Sequence, residues 1–272
     1  MSGEAAGFLH GNVPYLKIGQ GPPLVVIPGL TPDHDVPSGL ERRLALASAR
    51  PLAGDFTVYV VNRKRGLKSG ESMSDIAGHL AGAIEHDIGA PVFLQGTSTG
   101  GSVALQLAVD RPELVRRLVV ISAAYRLGPL GRSEQAEMAR LIRAGQPREA
   151  WASVITSMLP AAVRGPVRPL SRLAAGRMTP ADPTDVLVTL EAEDVFDVEA
   201  ALPRVNAATL VIGGGGDVFY SEELFRGTAA GVRDGRAHIF PDWGHARASS
   251  ASATTHLALG FMLAGLPVRP GD

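Results

Sequence analysis

The chain has 272 residues, with 26 Lys and Arg against 27 Asp and Glu, a net charge of −1 and no Cys. The missing Cys excludes a disulfide framework, a thiolate metal site and a cysteine nucleophile. The near-neutral balance argues against a nucleic-acid partner, which asks for a basic excess, and 45% hydrophobic residues suffice to bury a large core.

Gly at 32 and Pro at 20 are in excess, so many turns need special backbone angles. The longest apolar run, Leu257 to Leu266, has ten residues, short of the roughly 20 of a membrane span. Met1 to Asn12 has neither the basic nor the apolar stretch of a signal peptide. The expectation is a cytoplasmic protein with no membrane partner. Arg at 23 against Lys at 3 suggests a GC-rich bacterial genome.

Taken in chain order, Leu24 to Ile27 is a short apolar run ended by Pro28-Gly29, and it predicts a buried strand. Leu40 to Ala49 has helical periodicity, Phe56 to Val61 reads as a strand and Ser74 to His86 as a helix. Pro91 to Leu94 predicts a strand, Gly101 to Val109 a helix stopped before Arg111-Pro112, and Leu118 to Ile121 another strand. Thr209 to Ile212 and Ala237 to Phe240 complete the strand set. Strands apolar along their whole length suit a parallel sheet covered on both faces. Their alternation with helices predicts an α/β doubly wound fold.

The alternation stops after Tyr125. From Gly128 to Pro203 only helical stretches occur: Ser133 to Ala144, Arg148 to Met158, a Pro-interrupted piece to Ala175, and Asp185 to Ala200. A segment of that length is not an ordinary loop. The predicted organisation is a core of residues 1–127 and 206–272 interrupted by a helical insertion, residues 128–205.

The chemistry concentrates on Gly96-Thr97-Ser98-Thr99-Gly100, which follows the strand PVFLQ and opens the helix SVALQLAV. A strand–turn–helix of this kind holds a serine on a strained turn at the carboxyl edge of a sheet. A serine hydroxyl needs a base, and the base an orienting acid. Of the seven His, His245 follows the last strand through Asp242-Trp243-Gly244 and lies in a loop at the elbow's own sheet edge. His10 is N-terminal, His79 and His86 lie on an upstream helix, His238 in a strand and His256 in the terminal helix. His34, in the loop Thr31 to Pro37, is a candidate for lining the site.

Asp217 follows the Thr209 to Ile212 strand and the run Gly213 to Gly216, and it precedes His245 by 28 residues. The order Ser98, Asp217, His245 matches the arrangement. Asp242, Asp194, Asp197 and Glu222 are the competing acids. Backbone N–H groups of Thr99, after the nucleophile, and Leu30, after Pro28-Gly29, are placed to form an oxyanion hole. Trp151, Met158 and Phe219 are further pocket candidates. Asp33-His34-Asp35 reads as a polar loop and not a metal site, because three adjacent ligands do not converge on one ion. Arg63, Lys64, Arg65 and Lys68 read as a solvated basic loop. No cofactor is called for.

These motifs, with LVIGGGGD and FPDWGH near the end, resemble the α/β-hydrolase superfamily in its cap-bearing branch. The resemblance implies a mostly parallel eight-stranded sheet, a triad on Ser98, Asp217 and His245, and a helical cap that forms the acyl or leaving-group pocket. Three departures stand out: Pro28-Gly29 where many relatives have His-Gly, Lys68 in place of a second glycine in Arg65-Gly66-Leu67-Lys68-Ser69, and the loop Thr31 to Gly39. The expected function is a serine hydrolase cleaving an ester-like bond of a small molecule. C–C bond hydrolysis, thioester hydrolysis, acyl transfer and a ligand-binding receptor of the same fold stand as alternatives. Oligomeric state is left open.

Overall fold

Strand Val92–Thr97 shows why the apolar runs are continuous. Val92 and Leu94 pack into one core cluster while Phe93, between them, packs into another on the opposite face. Side chains alternate along a strand, so a strand covered on both sides needs apolar residues at every position. The same division separates Leu118 and Val120 from Val119 and Ile121.

The computed structural model describes residues 3–159, 161–176, 178–180 and 182–266, with backbone alone for 161–164. The ends of the predicted core, residues 1–2 and 267–272, lie outside the described residues. Eight strands form one sheet: β1 (Ala5–Leu9), β2 (Val13–Ile18), β3 (Pro23–Ile27), β4 (Thr57–Val61), β5 (Val92–Thr97), β6 (Val115–Ile121), β7 (Ala208–Gly214) and β8 (Gly235–Phe240). Their order is β1-β2-β4-β3-β5-β6-β7-β8. The pairs β1–β2 and β2–β4 are antiparallel and the others parallel. The eight-stranded, mostly parallel sheet expected from the resemblance is present.

Helices α1 (Gly39–Ala49), α2 (Met73–Ala83), α3 (Thr99–Asp110), α8 (Glu222–Gly231) and α10 (Ser252–Leu263) cover the sheet. One face packs on Ile76 and Leu80 of α2, Val103 and Leu107 of α3, and Leu224 and Phe225 of α8. The other packs on Ala49 of α1 and on Ala258 and Met262 of α10. Helix α2 starts at a reciprocal cap: Ser72 Oγ accepts from Asp75 N, and the Asp75 carboxylate accepts from Ser72 N.

Between β6 and β7 the chain forms α4 (Pro129–Arg143), α5 (Pro147–Ser157), α6 (Ala161–Ala175) and α7 (Thr184–Asp194), with no strand among the described residues. Helices α4 and α5 each begin with Pro at the first position, where its missing N–H costs nothing. The base of the insertion is closed where Val198 N donates to Tyr125 O at 3.0 Å and Arg126 bridges Asp197. No described helix is long and apolar enough to cross a membrane.

The sheet positions the site. The chain leaves β3 toward β4 on one side and returns to β5 on the other, with Ile27 opposite Gly96. A crevice opens outside the carboxyl ends of strands at such a switch point. The loop after β3 and the turn after β5 therefore meet there, with the chain after β7 and β8 on the same edge.

Candidate active site

Ser98 joins β5 to α3 with φ 52° and ψ −128°. A positive φ is rare for a side-chain-bearing residue and costs about 1–3 kcal/mol. Ser98 N donates to Ile121 O at 2.9 Å, and Ser98 O accepts from Gly101 N at 2.6 Å. The turn closes only because its flanks lack side chains. A Cβ on Gly96 would stand 2.2 Å from Gly100 O, and one on Gly100 would stand 2.3 Å from Pro28 O.

His245 Nε2 lies 3.0 Å from Ser98 Oγ and its Nδ1 lies 2.8 Å from Asp217 Oδ2. A carboxylate accepts only, so the imidazole carries its proton on Nδ1 and presents a bare Nε2 to the hydroxyl. Asp217 Oδ1 also accepts from Phe219 N at 2.8 Å and Tyr220 N at 3.3 Å. Those two bonds hold the carboxylate in place. The Asp217 side chain is fully buried and that of His245 nearly so. The Phe219 ring lies 4.7 Å from the imidazole, and Tyr220 stacks near it at 6.3 Å.

His245 differs from its expected place in a loop: it is the first residue of a short helix, α9 (His245–Ser250). Among the competing acids, Asp197 and Glu222 pair with Arg126 and Arg226, and Asp194 lies 3.9 Å from Arg132. None of them meets His245.

The loop after β3 brings Gly29 against Ser98: a Cβ on Gly29 would be 3.3 Å from Ser98 Cβ. Among the described residues neither Leu30 N–H nor Thr99 N–H is engaged in a hydrogen bond. Both residues line the cavity at Ser98.

Two expectations for the neighbouring loops fail. His34 does not line the cavity beside Ser98. It is buried behind the loop after β3, where Nε2 accepts from Arg63 Nε at 3.1 Å and Nδ1 meets Lys64 O at 3.2 Å. Burial, with the Arg63 charge beside it, pushes the imidazole down to about 3. A neutral ring with both nitrogens engaged offers nothing to a substrate. Arg63 is not solvated either. It is completely buried and donates to Pro28 O at 3.3 Å, Gly29 O at 3.0 Å and Thr31 Oγ1 at 3.0 Å. Desolvation lowers its guanidinium to about 10, against the pull of Glu193 and Asp185. Asp185, at the start of α7, accepts from Gly66 N and Leu67 N at 3.0 and 2.7 Å, tying the insertion to the same loop system.

The cavity at Ser98 measures about 210 Å³. Trp151, Met158 and Phe219 line it, joined by Gln135 and Tyr220, which sequence reasoning did not select. A larger cavity of about 640 Å³ lies beneath α1, between Leu44 and Ala45 of that helix and Val26, Val60 and Ile121 of the sheet. It includes neither Ser98 nor His245 and shares Gly29, Thr97 and Ser249 with the smaller one. Behind the cavity at Ser98, Glu193 of α7 is fully buried and accepts from Ser102 Oγ at 2.7 Å, Gln135 Nε2 at 2.8 Å and Tyr220 Oη at 3.4 Å. Nothing in the local sequence around Glu193 or Arg63 marks them, since their importance lies in contacts across about 90 and 35 residues of chain.

Residues 24–254 match the sequence model of the alpha/beta hydrolase family. A protein of Variovorax paradoxus (strain S110) that carries the provisional name carbamate hydrolase RutD is 26% identical over 197 residues, 71% of this chain and 73% of that one. The 2-hydroxy-6-oxononadienedioate/2-hydroxy-6-oxononatrienedioate hydrolase of a Pseudomonas species is 28% identical over 174 residues, 61% of each. Among solved structures, the enol-lactonase from Burkholderia xenovorans LB400 superposes with TM-score 0.76 at 18% identity, covering 95% of this chain and 100% of its own. MGS-M2, an alpha/beta hydrolase from a Medee basin deep-sea metagenome library, gives 0.78 at 16% identity, with 96% and 97% covered.

Proposed function

Because the chain belongs to the alpha/beta hydrolase family, we propose that it is a serine hydrolase that cleaves an ester-like bond of a small molecule through an acyl-enzyme on Ser98. One observation carries the proposal: the unbroken line from Ser98 Oγ through the imidazole of His245 to Asp217, at 3.0 and 2.8 Å. Both contacts are within the reach of proton transfer.

In acylation, Ser98 Oγ bonds the substrate carbonyl carbon while His245 Nε2 takes its proton. The tetrahedral oxyanion rests on the N–H groups of Leu30 and Thr99. A donor of that kind is worth about 10²–10³ in rate. Collapse breaks the bond to the leaving oxygen, which takes the proton from Nε2. Water then gives a proton to Nε2 and attacks the acyl carbon, and Ser98 leaves with its hydroxyl restored. One ester and one water become one acid and one alcohol. Asp217 stays ionised throughout and stabilises the imidazolium. The helices α4 to α7 act as the cap over the pocket, through Gln135, Trp151 and Met158.

The relatives' names span a carbamate and a dioate. No Lys or Arg lines the described cavity, which favours a neutral substrate over a dicarboxylate. The activity is assigned to the cytoplasm, with no nucleic-acid or membrane partner. Hydrolysis of p-nitrophenyl acetate tests the proposal. The purified protein should turn it over, and Ser98→Ala should lower kcat by about 10³-fold or more. Equal rates for the two proteins would refute it.

A further inference from the structure

Glu193 lies on α7 with no exposed surface. Burying a carboxylate costs several kcal/mol unless good geometry and hydrogen bonds offset it. Three donors converge on this one. Ser102 Oγ stands 2.7 Å and Tyr220 Oη 3.4 Å from Oε1, and Gln135 Nε2 stands 2.8 Å from Oε2. A carboxylate accepts at both oxygens and donates nothing, so it suits three donors. Burial and the Glu193 charge push the Tyr220 phenol well above its ordinary value. The phenol therefore keeps its proton, and it shares the cluster with Ser102, to which it also bonds.

Two of the donors belong to the elements that carry Ser98 and Asp217. Ser102 lies one turn beyond Ser98 on α3, and its N–H donates to Ser98 O at 3.3 Å. Tyr220 follows Asp217 by three residues, and its N–H donates to Asp217 Oδ1 at 3.3 Å. Its ring lies 17° from parallel to the His245 imidazole, 6.3 Å away. Strands β5 and β7, which lead to Ser98 and Asp217, are separated by β6. The sheet therefore sets the spacing of the two segments beyond its edge only at second hand. Glu193 spans them directly. It does not line the cavity at Ser98, and Asp185 ties the start of the same helix to Gly66 and Leu67.

We infer that Glu193 is a positioning residue for the reaction: it clamps α3, behind Ser98, to the loop that carries Asp217, and so sets the span that His245 bridges. The inference rests on the reading of Ser98, His245 and Asp217 as a working triad. The imidazole crosses that span with contacts of 3.0 and 2.8 Å. A wider gap loosens the contact with Asp217, whose Oδ1 is held by Tyr220 N. A misplacement of about 1 Å, caused far from the chemistry, can cost about 10²-fold in rate. Were Glu193 a simple fastening of the insertion, its loss would lower the melting temperature and leave turnover by the folded protein unchanged.

The test uses the full chain and p-nitrophenyl acetate. Glu193→Leu keeps most of the volume and removes the acceptor. It should lower kcat about tenfold or more with KM moved less than about twofold, in protein whose far-ultraviolet circular dichroism matches wild type. Glu193→Gln keeps an acceptor for Ser102 and Tyr220. Gln135, whose Oε1 is unpaired, can turn its amide to accept from the new N–H₂. That variant should stay within about threefold of wild-type kcat. A proton spectrum reads the geometry itself. The far-downfield Nδ1–H resonance of His245, identified by its loss in His245→Ala, should persist in Glu193→Gln and shift or broaden in Glu193→Leu. Wild-type kcat or an unmoved resonance in folded Glu193→Leu would overturn the inference, as would equal losses in the two variants. Should Glu193→Leu not fold, Ser102→Ala decides, because it removes a single hydroxyl from the cluster. A kcat lowered about threefold or more supports the clamp, and a wild-type kcat contradicts it. Should acetate turnover not depend on Ser98, the reading of the triad fails separately. The resonance then still decides whether Glu193 holds His245 and Asp217 together: a shift supports it and an unmoved signal contradicts it.

Discussion

Arg63 Nη2 donates to the carbonyl oxygen of Gly29 at 3.0 Å, from a side chain that is completely buried. That carbonyl belongs to the same planar peptide as the Leu30 N–H, and the two point in opposite directions across it. Holding the oxygen on the Arg63 side turns the N–H to the other side, toward the cavity that Leu30 lines with Ser98. Arg63 touches no substrate in this arrangement. In the proposed mechanism it is a positioning residue for the Leu30 donor.

Replacing Arg63 should therefore act on the transition state. Lysine keeps the charge but lacks the planar fork that reaches Pro28, Gly29 and Thr31 together. Arg63→Lys should lower kcat about tenfold or more, since a donor of this class is worth about 10²–10³, with KM moved less than twofold. Steady-state kinetics on p-nitrophenyl acetate measures both. A change confined to KM would place Arg63 in substrate binding instead.

Asp217→Asn should leave its neighbours nearly in place, because the amide still accepts from Phe219 N and Tyr220 N. Its new N–H₂ disfavours the imidazole tautomer that Ser98 requires. The expected loss in kcat is about 10⁴, with the far-ultraviolet circular dichroism and melting temperature close to wild type. Those three measurements together separate lost tautomer control from lost folding.

His34 gives a pH signature. Its folded value is pushed down to about 3 from 6.5, so the unfolded chain binds the extra proton between those limits. Stability from this group is complete above pH 6.5 and declines as the pH falls toward 3. The slope is at most about 1.4 kcal/mol per pH unit, or about 2 kcal/mol by pH 5. Urea denaturation at pH 7, 6 and 5 should show this decline in the wild type. His34→Gln, which retains an acceptor for Arg63, should show a shallower one by that difference. Parallel declines in the two proteins would assign the effect to other groups.

Gly100→Ala tests the packing that makes the elbow. Its Cβ would meet Pro28 O at 2.3 Å and Ile27 O at 2.4 Å, both backbone atoms that cannot swing away. Overpacking of that kind costs about 1–3 kcal/mol, and here it also pushes the loop after β3 off Ser98. Chemical denaturation should show that loss, accompanied by a lower kcat.

The parts of this molecule visible in the sequence are those whose signal is local. Strands β3 to β7 were legible because burial on both faces demands unbroken apolar runs, as in FTVYVV, whereas the edge strand β8 shows only Ala237, Ile239 and Phe240 between the exposed Arg236 and His238. The elbow was legible because sterics require Gly96 and Gly100 beside Ser98. Strand β1, Ala5–Leu9, has little β-branched character and an exposed alternate face, and β2 carries Pro14 and Lys17. Neither was predicted, and neither was helix α8. Arg63 was misread because four basic residues within six positions look alike in a sequence, and only the fold decides which one turns inward. Glu193 and Gln135 were missed for a related reason: they meet across 58 residues. His34 drew notice for its chemistry, but that chemistry faces Arg63 and not the cavity.

The central claim is that Ser98 is the nucleophile, and covalent capture tests it most directly. Incubation with a fluorophosphonate, followed by intact and peptide mass spectrometry, should show one adduct per chain on the peptide containing Ser98. The adduct should be absent in Ser98→Ala and form far more slowly in His245→Ala. Labelling that persists in Ser98→Ala, or a wild-type chain that stays unmodified under conditions that label a known serine hydrolase, would contradict the account.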